Sequence, residues 1–116
     1  MPAMAYDHDL ADRIRELVAT ERGVIEQAMF GGLAFLINGN MSVAASGRGG
    51  LLVRVDPDEA GPLVDDELVS LAVMAGKERP GWLRVAAEAV ERDEDLAEWV
   101  RRGVGYARSL PPKKGR

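Results

Sequence analysis

The side chains best suited to act as a general base, His8 with Asp7 and Asp9, lie together near the start of the chain. His8 is the only histidine, and a carboxylate beside an imidazole can orient it as a base. No neighbouring residue offers a nucleophile for such a base to activate. Asp is also a preferred residue at the start of a helix. We therefore expect an exposed helix start here and predict no catalytic residue.

Two clusters of carboxylates are candidates for a hard cation, Asp56-Pro57-Asp58-Glu59 and Asp65-Asp66-Glu67. Calcium loops space their oxygen ligands around a turn glycine, and neither cluster has that spacing. Helix capping and ordinary solvation explain both clusters. We predict no metal site and no cofactor.

Gly47-Arg48-Gly49-Gly50 has the glycine content of a phosphate-binding loop. A P-loop continues into Lys and Ser or Thr at the start of a helix, whereas this segment lies between two strand-like runs. Gly31-Gly32 likewise lacks the spacing of a dinucleotide-binding fingerprint. We predict a hairpin loop at the first site. At the second we predict a bend, because glycine adopts positive φ and allows close backbone approach.

The charge balance argues against direct binding of nucleic acid. The formal net charge is −4, and three of the fifteen basic residues are Lys113, Lys114 and Arg116. The rest of the chain has twelve basic and nineteen acidic residues, whereas nucleic-acid binding depends on clustered Lys and Arg. Arg101 and Arg108 in the last predicted helix are candidate interaction residues, although neighbouring acidic residues offset their field.

The composition is that of one globular domain, with 116 residues, 47% hydrophobic and 29% charged. There is no cysteine, which removes disulfides and thiolate chemistry and fits a reducing compartment. The first ten residues lack the pattern of a secretory signal, and no apolar run reaches the roughly 18 residues of a membrane span. We predict a cytoplasmic protein that does not contact a membrane.

The first half of the chain predicts one helix followed by a meander of strands. The helix begins at Asp7 or Asp9 and runs to about Thr20, and Gly23 ends it as a left-handed cap. Asn38-Gly39 is the strongest short-range signal for a two-residue hairpin turn. The apolar pattern predicts four short strands, at residues 24–30, 33–38, 41–46 and 51–55. Turns this short require antiparallel neighbours.

The second half predicts a short helix and two further strands. Asp56 starts the helix, with Pro57 in its first turn. Alternation over residues 69–73 predicts a fifth strand, although the same residues also fit a continued helix. Residues 76–80 are predicted as a loop and residues 82–85 as a sixth strand.

A long helix is predicted at the end of the chain. Asp93 is its predicted N-cap, and it ends before Pro111. Gly103 in its apolar stripe predicts close packing against the sheet, because no side chain intervenes. The predicted core face comprises Leu96, Trp99, Val100, Gly103, either Tyr106 or Ala107, and Leu110.

These elements predict an α+β fold, a two-layer sandwich in which an antiparallel sheet of five to six strands has the N- and C-terminal helices on one face. One domain is expected over residues 1–110. Residues 111–116 are expected to form a basic, flexible tail.

The segment from 29 to 41 has two short glycine-containing pieces joined by an apolar strand. Its motif residues are Met29, Phe30, Gly31, Gly32, Asn38, Gly39, Asn40 and Met41. Together with residues 10–17, 52–55 and 99–111, this motif resembles the N-terminal domain of the TfoX/Sxy family over nearly the whole chain. The resemblance implies a small α+β domain with an antiparallel sheet, similar to secretion-chaperone-like folds. It also implies regulation, since named family members promote expression of DNA-uptake competence genes together with a cyclic-AMP-responsive activator.

Two departures limit what the resemblance implies. Full-length competence regulators have a second, C-terminal helical domain, and this chain ends at Arg116, so we expect a stand-alone domain. Residues 76–80 read Gly-Lys-Glu-Arg-Pro, where family members tend to have a Gly-Arg-Pro-Met-like segment. The competence role itself is not carried over to this chain.

The strand at 33–37 is apolar on both faces, because Leu33, Phe35 and Ile37 alternate with Ala34 and Leu36. Helices can cover one face, and a partner or a second copy can cover the other. Leu33, Phe35 and Ile37 are therefore the candidate interaction residues of the sheet. The predicted function is a non-enzymatic regulatory or protein-interaction module linked to transcriptional regulation.

Two alternatives stay open from the sequence. The first is a small-ligand-binding domain with the ligand between sheet and helices, in a pocket lined by Phe30, Phe35 and Trp82. The second is an enzyme that uses carboxylates gathered in a cleft.

Overall fold

The computed structural model describes residues 6–29, 31–65, 67–74 and 76–112 of the chain, and these form one six-stranded sheet with helices packed against it. The elements are α1 His8–Leu17, β1 Val24–Met29, β2 Gly32–Ile37, β3 Asn40–Ala45, β4 Leu51–Arg54, α2 Pro57–Leu63, β5 Val69–Met74, β6 Lys77–Val85, a 3-10 helix Ala87–Val90, and α3 Asp93–Ser109. The strand order is β1-β2-β3-β4-β6-β5, and every pair is antiparallel. The predicted α+β fold and antiparallel sheet are confirmed, with six strands.

The hairpin between β2 and β3 is the one that the sequence predicts. Asn38 has φ 53° and Gly39 has φ 86°, as a two-residue primed turn requires. A bulge follows between Phe35 and Leu36 in the pairing with β3. The Ser42 hydroxyl donates to the Phe35 carbonyl at 2.7 Å, so the hydroxyl that the bulge buries is satisfied.

The predicted bend at Gly31-Gly32 is the turn between β1 and β2. Met29 pairs with Gly32, so only Phe30 and Gly31 lie between the strands, and Phe30 falls outside the described residues. Gly31 has φ 75°. A Cβ on Gly32 would lie 2.2 Å from the Ala45 carbonyl oxygen. Both predicted reasons for glycine, positive φ and close approach, are therefore present at this turn.

Helix α1 begins as predicted and ends earlier. The Asp7 carboxylate accepts a hydrogen bond from the Leu10 N–H at 3.2 Å, which decides between the two predicted caps. The helix ends at Leu17 with Val18 as its C-cap, so the predicted end at about Thr20, with Gly23 as the cap, was wrong. Gly23 has φ 74° but precedes β1, where its carbonyl accepts from the Asn38 N–H at 3.0 Å.

Helix α3 also begins differently from the prediction. Its N-cap is Arg92, and Asp93 is the first helical residue. No side-chain hydrogen bond caps this helix start, and the Asp93 carboxylate accepts a hydrogen bond from Arg13 of α1 at 3.0 Å. That contact ties the start of α3 to the first helix.

The loop predicted at 76–80 is instead the first half of β6. Gly76 has φ 78°, and Met74 pairs with Lys77 across a two-residue connection. The pairing with β5 then shifts register between Leu71 and Val73. Pro80 lies in the unpaired stretch of that irregularity, so its missing N–H removes no ladder hydrogen bond.

The core lies between the helices and one face of the sheet, which we call the covered face. Leu51, Val53 and Val55 of the fourth strand region point into it and are almost completely buried. A Cβ on Gly103 would lie 2.5 Å from the Ser42 carbonyl oxygen, so α3 packs as closely on β3 as predicted. The sequence left either Tyr106 or Ala107 on the core face of α3. Ala107 is the core residue, because it is fully buried.

Leu110, predicted in the core, is only half-buried, since it is the C-cap residue of α3. The described part of the predicted tail begins in contact with the fold: the Pro111 carbonyl accepts from the Asn40 side chain at 3.0 Å. Residues 113–116 lie outside the described residues, so the flexible tail stays a prediction.

Candidate functional site

The other face of the sheet, which we call the open face, has a second apolar cluster. Its buried members are Ala34, Met41, Ala44, Leu52 and Ala72, and Met29, Leu36 and Trp82 pack against them. Every one of these residues belongs to a strand, and no helical residue is among the described members of the cluster. The sheet is therefore apolar on both faces, with helices on only one.

The predicted interaction residues of the sheet lie on the covered face. Leu33 is 9% exposed, and Phe35 and Ile37 are fully buried beneath the helices. Their side chains are therefore not accessible at the surface in this fold, and their role in an interaction stays a prediction. Their neighbours Ala34 and Leu36 lie on the open face.

The two predicted interaction residues of α3 lie on the helical side of the molecule. The Arg108 guanidinium donates to the Glu21 carboxylate at 2.8 Å and to the Arg22 carbonyl at 3.0 Å. Arg108 thus ties α3 to the segment after α1. Arg101 lies on the same helix and is also exposed. Lys113 and Lys114 of the predicted basic tail lie outside the described residues.

A cavity of about 560 Å³ opens on the open face. Its floor is apolar and includes Ala44, Leu52, Ala72 and Trp82. Three arginines, Arg48, Arg79 and Arg84, contribute to its walls. No carboxylate is among the described residues that line it.

Ser46 and Arg84 link two walls of this cavity. The Arg84 guanidinium donates to the Ser46 hydroxyl at 3.2 Å, and the same hydroxyl accepts from the Arg48 N–H at 3.1 Å. Burial lowers the pKa of the Arg84 guanidinium, and the positive charge of Arg48 lowers it further. Arg84 is half-buried, and no carboxylate among the described residues pairs with it.

Trp82 is held from one side by another arginine. The Arg54 guanidinium carbon lies 5.1 Å from the centre of the Trp82 ring and 5.6 Å from that of Tyr106. Distances below about 6 Å are typical of cation–π contacts. Arg54 therefore lies between the aromatic wall of the cavity and Tyr106 of α3.

The arginines of the helical layer are arranged differently, because each of five forms a salt bridge. These pairs are Arg13–Asp93, Arg15–Asp12 together with Arg15–Glu26, Arg92–Glu94, Arg102–Glu98 and Arg108–Glu21. Within the described ranges, no such pair involves Arg48, Arg79 or Arg84.

The groups considered for catalysis are spread over the surface. His8 is exposed and stacks on Tyr6, with ring centres 4.7 Å apart. The Asp56 carboxylate accepts from the Asp58 N–H at 2.9 Å, which is the predicted capping role. His8 and Asp56 belong to the starts of different helices.

The second acidic cluster is a backbone cap. Asp65 accepts from the N–H groups of Glu67, Leu68 and Val69, each at 2.9 Å. These hydrogen bonds lower the pKa of Asp65, and Asp66 lies outside the described residues. Among the residues that the structure describes, no three carboxylate, histidine or cysteine side chains gather where a metal ion could bind. The absence of a cofactor or metal stays a prediction.

The glycine-rich segment 47–50 is the predicted hairpin loop between β3 and β4. The Ser46 N–H donates to the Gly50 carbonyl at 3.0 Å and closes the loop. Sequence reasoning passed over its Arg48, which reaches the cavity. Alternation was the available signal for Arg84, since Leu83 and Val85 on either side of it are core residues.

The predicted ligand pocket between sheet and helices does not correspond to the cavity. Phe35 lies under the helices and Trp82 lies on the open face, so the sheet separates them. Phe30 lies outside the described residues. Of the predicted lining, Trp82 contributes to the cavity that the structure contains.

Comparison with protein families places the chain. A family model described as the TfoX N-terminal domain matches residues 16–107 of the 116. The chain belongs to the TfoX N-terminal domain family. The match includes the whole meander of this TfoX N-terminal domain, both glycine turns and most of α3. The predicted family is confirmed.

Other comparisons add no relative to this TfoX N-terminal domain. Neither the curated proteins nor the solved structures yielded a significant match. In the described part of the chain, no helix has both the length and the apolar character needed to cross a bilayer.

Proposed function

We propose that this TfoX N-terminal domain is a non-enzymatic, cytoplasmic regulatory module that acts by binding another protein through the open face. The observation that carries the proposal is the second apolar cluster, which is built from strands and has no helical residue among its described members. Its centre is buried, while Met29, Leu36 and Trp82 at its border are only partly buried, and grouped apolar surface left exposed on a small domain is typical of interaction sites. The location is proposed because the chain has no cysteine, as suits a reducing compartment.

The edge of the open face supports the same proposal. Strand β1 is at one end of the sheet order, and its Ile25 is 58% exposed. Ile25 is beside Glu26, which turns to the covered face to pair with Arg15, so Ile25 points to the open face. An edge strand with an exposed apolar side chain can accept a strand from a partner.

A link to transcription is proposed through a partner rather than through direct contact with DNA. The family suggests regulation, and the net charge of −4 disfavours a polyanion. The separate positions of His8, Asp56 and Asp65 support binding over catalysis, since acid–base chemistry needs such groups within reach of one substrate.

The test is affinity capture from the native cytoplasm with and without nuclease, using wild type and two matched variants. Ile25→Lys places a charge on the open face and on an edge strand, where Lys opposes added pairing. Leu17→Lys is the control, because Leu17 is also an exposed apolar residue but lies on α1. We expect a nuclease-resistant partner that is lost with Ile25→Lys and kept with Leu17→Lys.

Two results would contradict the proposal. Recovery that disappears with nuclease would favour nucleic acid, and equal capture by both variants would move the interface away from the open face. Light scattering over a concentration series distinguishes a second copy from a different protein. A dimer that Ile25→Lys dissociates would identify the partner as the chain itself.

A further inference from the structure

The cavity on the open face combines an apolar floor with three guanidinium groups. Its volume of about 560 Å³ falls in the range of small-molecule sites, roughly 300–1,000 Å³. Such sites are mostly apolar with a few convergent polar groups that fix the orientation of a ligand. The cavity has both parts.

The three arginines of the cavity have no salt-bridge partner among the residues that the structure describes. Five arginines of the helical layer have carboxylates within 4.0 Å, while Arg48, Arg79 and Arg84 have none among the described residues. Arg22, Arg54 and Arg101 also have no salt bridge among the described residues, so the distinction of the three cavity arginines is that they line one cavity whose described lining has no carboxylate. The cavity wall is therefore a cationic site in an acidic protein.

Arg84 is the most constrained of the three. It is half-buried, and its Nη1 is fixed by the Ser46 hydroxyl at 3.2 Å. Partial burial of a charge without a counter-ion is unfavourable. An anion supplied from outside would remove that cost, and the planar guanidinium suits the two oxygens of a carboxylate or phosphate.

The floor suits an apolar body. Ala44, Leu52 and Ala72 are almost fully buried and give it a surface of methyl groups. Trp82 stands beside them as a half-buried aromatic wall and is held by Arg54 at 5.1 Å. A ligand that places its charge at Arg84 would place its body on these residues.

From these contacts we infer that the cavity binds a small organic anion, with one carboxylate or phosphate head at Arg48, Arg79 and Arg84 and an apolar body against Leu52 and Trp82. This binding goes beyond the proposed partner binding and does not depend on it. The arginines converge on one cavity rather than following a stripe across the surface, and the acidic protein repels long polyanions. An acidic protein segment is therefore the competing occupant.

The test uses four probes of known chemistry in isothermal titration with purified full-length chain. Octyl phosphate and octanoate have the proposed head and body, octanol lacks the charge, and octyltrimethylammonium reverses it. We expect saturable one-to-one binding of both anions with a change in tryptophan fluorescence. Octanol should bind about 10- to 100-fold more weakly, since a charge-assisted hydrogen bond to arginine contributes on that scale.

Variants locate the binding within the molecule. The variants Arg84→Gln and Arg79→Gln should each weaken the binding of octyl phosphate by about 10-fold or more. Arg79 is exposed, so its variant keeps the test valid if Arg84→Gln fails to fold. Arg101→Gln removes an exposed arginine from α3, outside the cavity lining, and should leave the affinity unchanged.

Three outcomes would overturn the inference. These are equal binding of octanol and octyl phosphate, no binding of either anion, and affinity that is unchanged in both cavity variants. Tighter binding of an acidic peptide of alternating Glu and Leu would assign the cavity to a protein segment instead. Capture of a partner with Ile25→Lys is measured independently, so either proposal can fail while the other stands.

Discussion

The two faces of the sheet differ in how far their apolar side chains are buried and in whether their arginines have carboxylate partners. On the covered face, large side chains such as Phe35 and Val53 are fully buried under helices, and nearby arginines have carboxylate partners. On the open face, small side chains such as Ala44 lie between larger, half-exposed ones. Its arginines have no carboxylate partner among the described residues.

The difference separates residues that stabilise the fold from residues available for binding. A buried side chain surrounded on all sides contributes to stability through packing and loss of apolar surface from water. A half-exposed apolar residue contributes less to folding and keeps area for a ligand or partner. The comparison predicts unequal responses when matched residues of the two faces are changed.

The largest expected effect is on the covered face. Phe35→Ala should lower the free energy of unfolding by about 3–5 kcal/mol, because it removes a fully buried ring and leaves a cavity. Leu36→Ala, one residue along the same strand, should lower it by about 1 kcal/mol, because Leu36 is half-exposed on the open face. Urea denaturation followed by circular dichroism measures both. Equal losses would mean that the two faces do not differ in packing.

A smaller effect tests how closely α3 packs on the sheet. Gly103→Ala would place a Cβ 2.5 Å from the Ser42 carbonyl oxygen, so we expect a loss of about 1–3 kcal/mol from overpacking. Gly105→Ala in the same helix meets no atom within 4 Å.

Gly105→Ala is therefore the matched control and should raise stability by up to about 1 kcal/mol, because Ala has the higher helix propensity. The same denaturation measurement applies. A gain from both variants would show that the helix can move away from the covered face without loss.

The smallest effect concerns charge. Arg15 of α1 donates to both oxygens of Glu26 at 2.5 and 2.9 Å, which lowers the pKa of Glu26 from its ordinary value of 4.5. The folded protein therefore binds this proton less tightly than the unfolded chain. Its contribution is present above the ordinary pKa and is lost as the pH falls through the folded value.

We expect wild type to lose more stability than Glu26→Gln between about pH 6 and about pH 3. Denaturant titrations at several pH values measure the difference, which should be small because the pair is at the surface. Arg84→Gln on the open face should leave this acid dependence unchanged, since no carboxylate pairs with Arg84 in the described chain. Identical acid profiles for wild type and Glu26→Gln would show that the Arg15–Glu26 pair on the covered face does not contribute to stability.

Much of the fold was predictable because its signals are local. The positive φ of Asn38 and Gly39 follows from residue type and spacing, as does the cap at Asp7. The loop predicted at 76–80 was wrong, since residues 77–80 begin β6 and a register shift leaves Pro80 unpaired there. Whether a proline removes a hydrogen bond depends on the neighbouring strand, which local sequence does not describe.

The candidate site was less predictable than the fold. Alternation shows that Phe35 and Leu36 point to opposite faces, but not which face the helices cover. That choice depends on α1 and α3, whose contact with the sheet is made over long sequence separations. For the same reason Arg48 was considered only as part of a glycine loop, and its approach to Arg84 was not foreseen.

The sequence by itself determined the family, the antiparallel meander, the glycine turns and the helix starts at Asp7 and Asp56. Backbone dihedral preferences and capping act between near neighbours. Tertiary structure alone decided which apolar face is open and which arginines meet there. The physical reason is that strand alternation is symmetric between the two faces of a sheet. Only the packing of the helices on one of them breaks that symmetry.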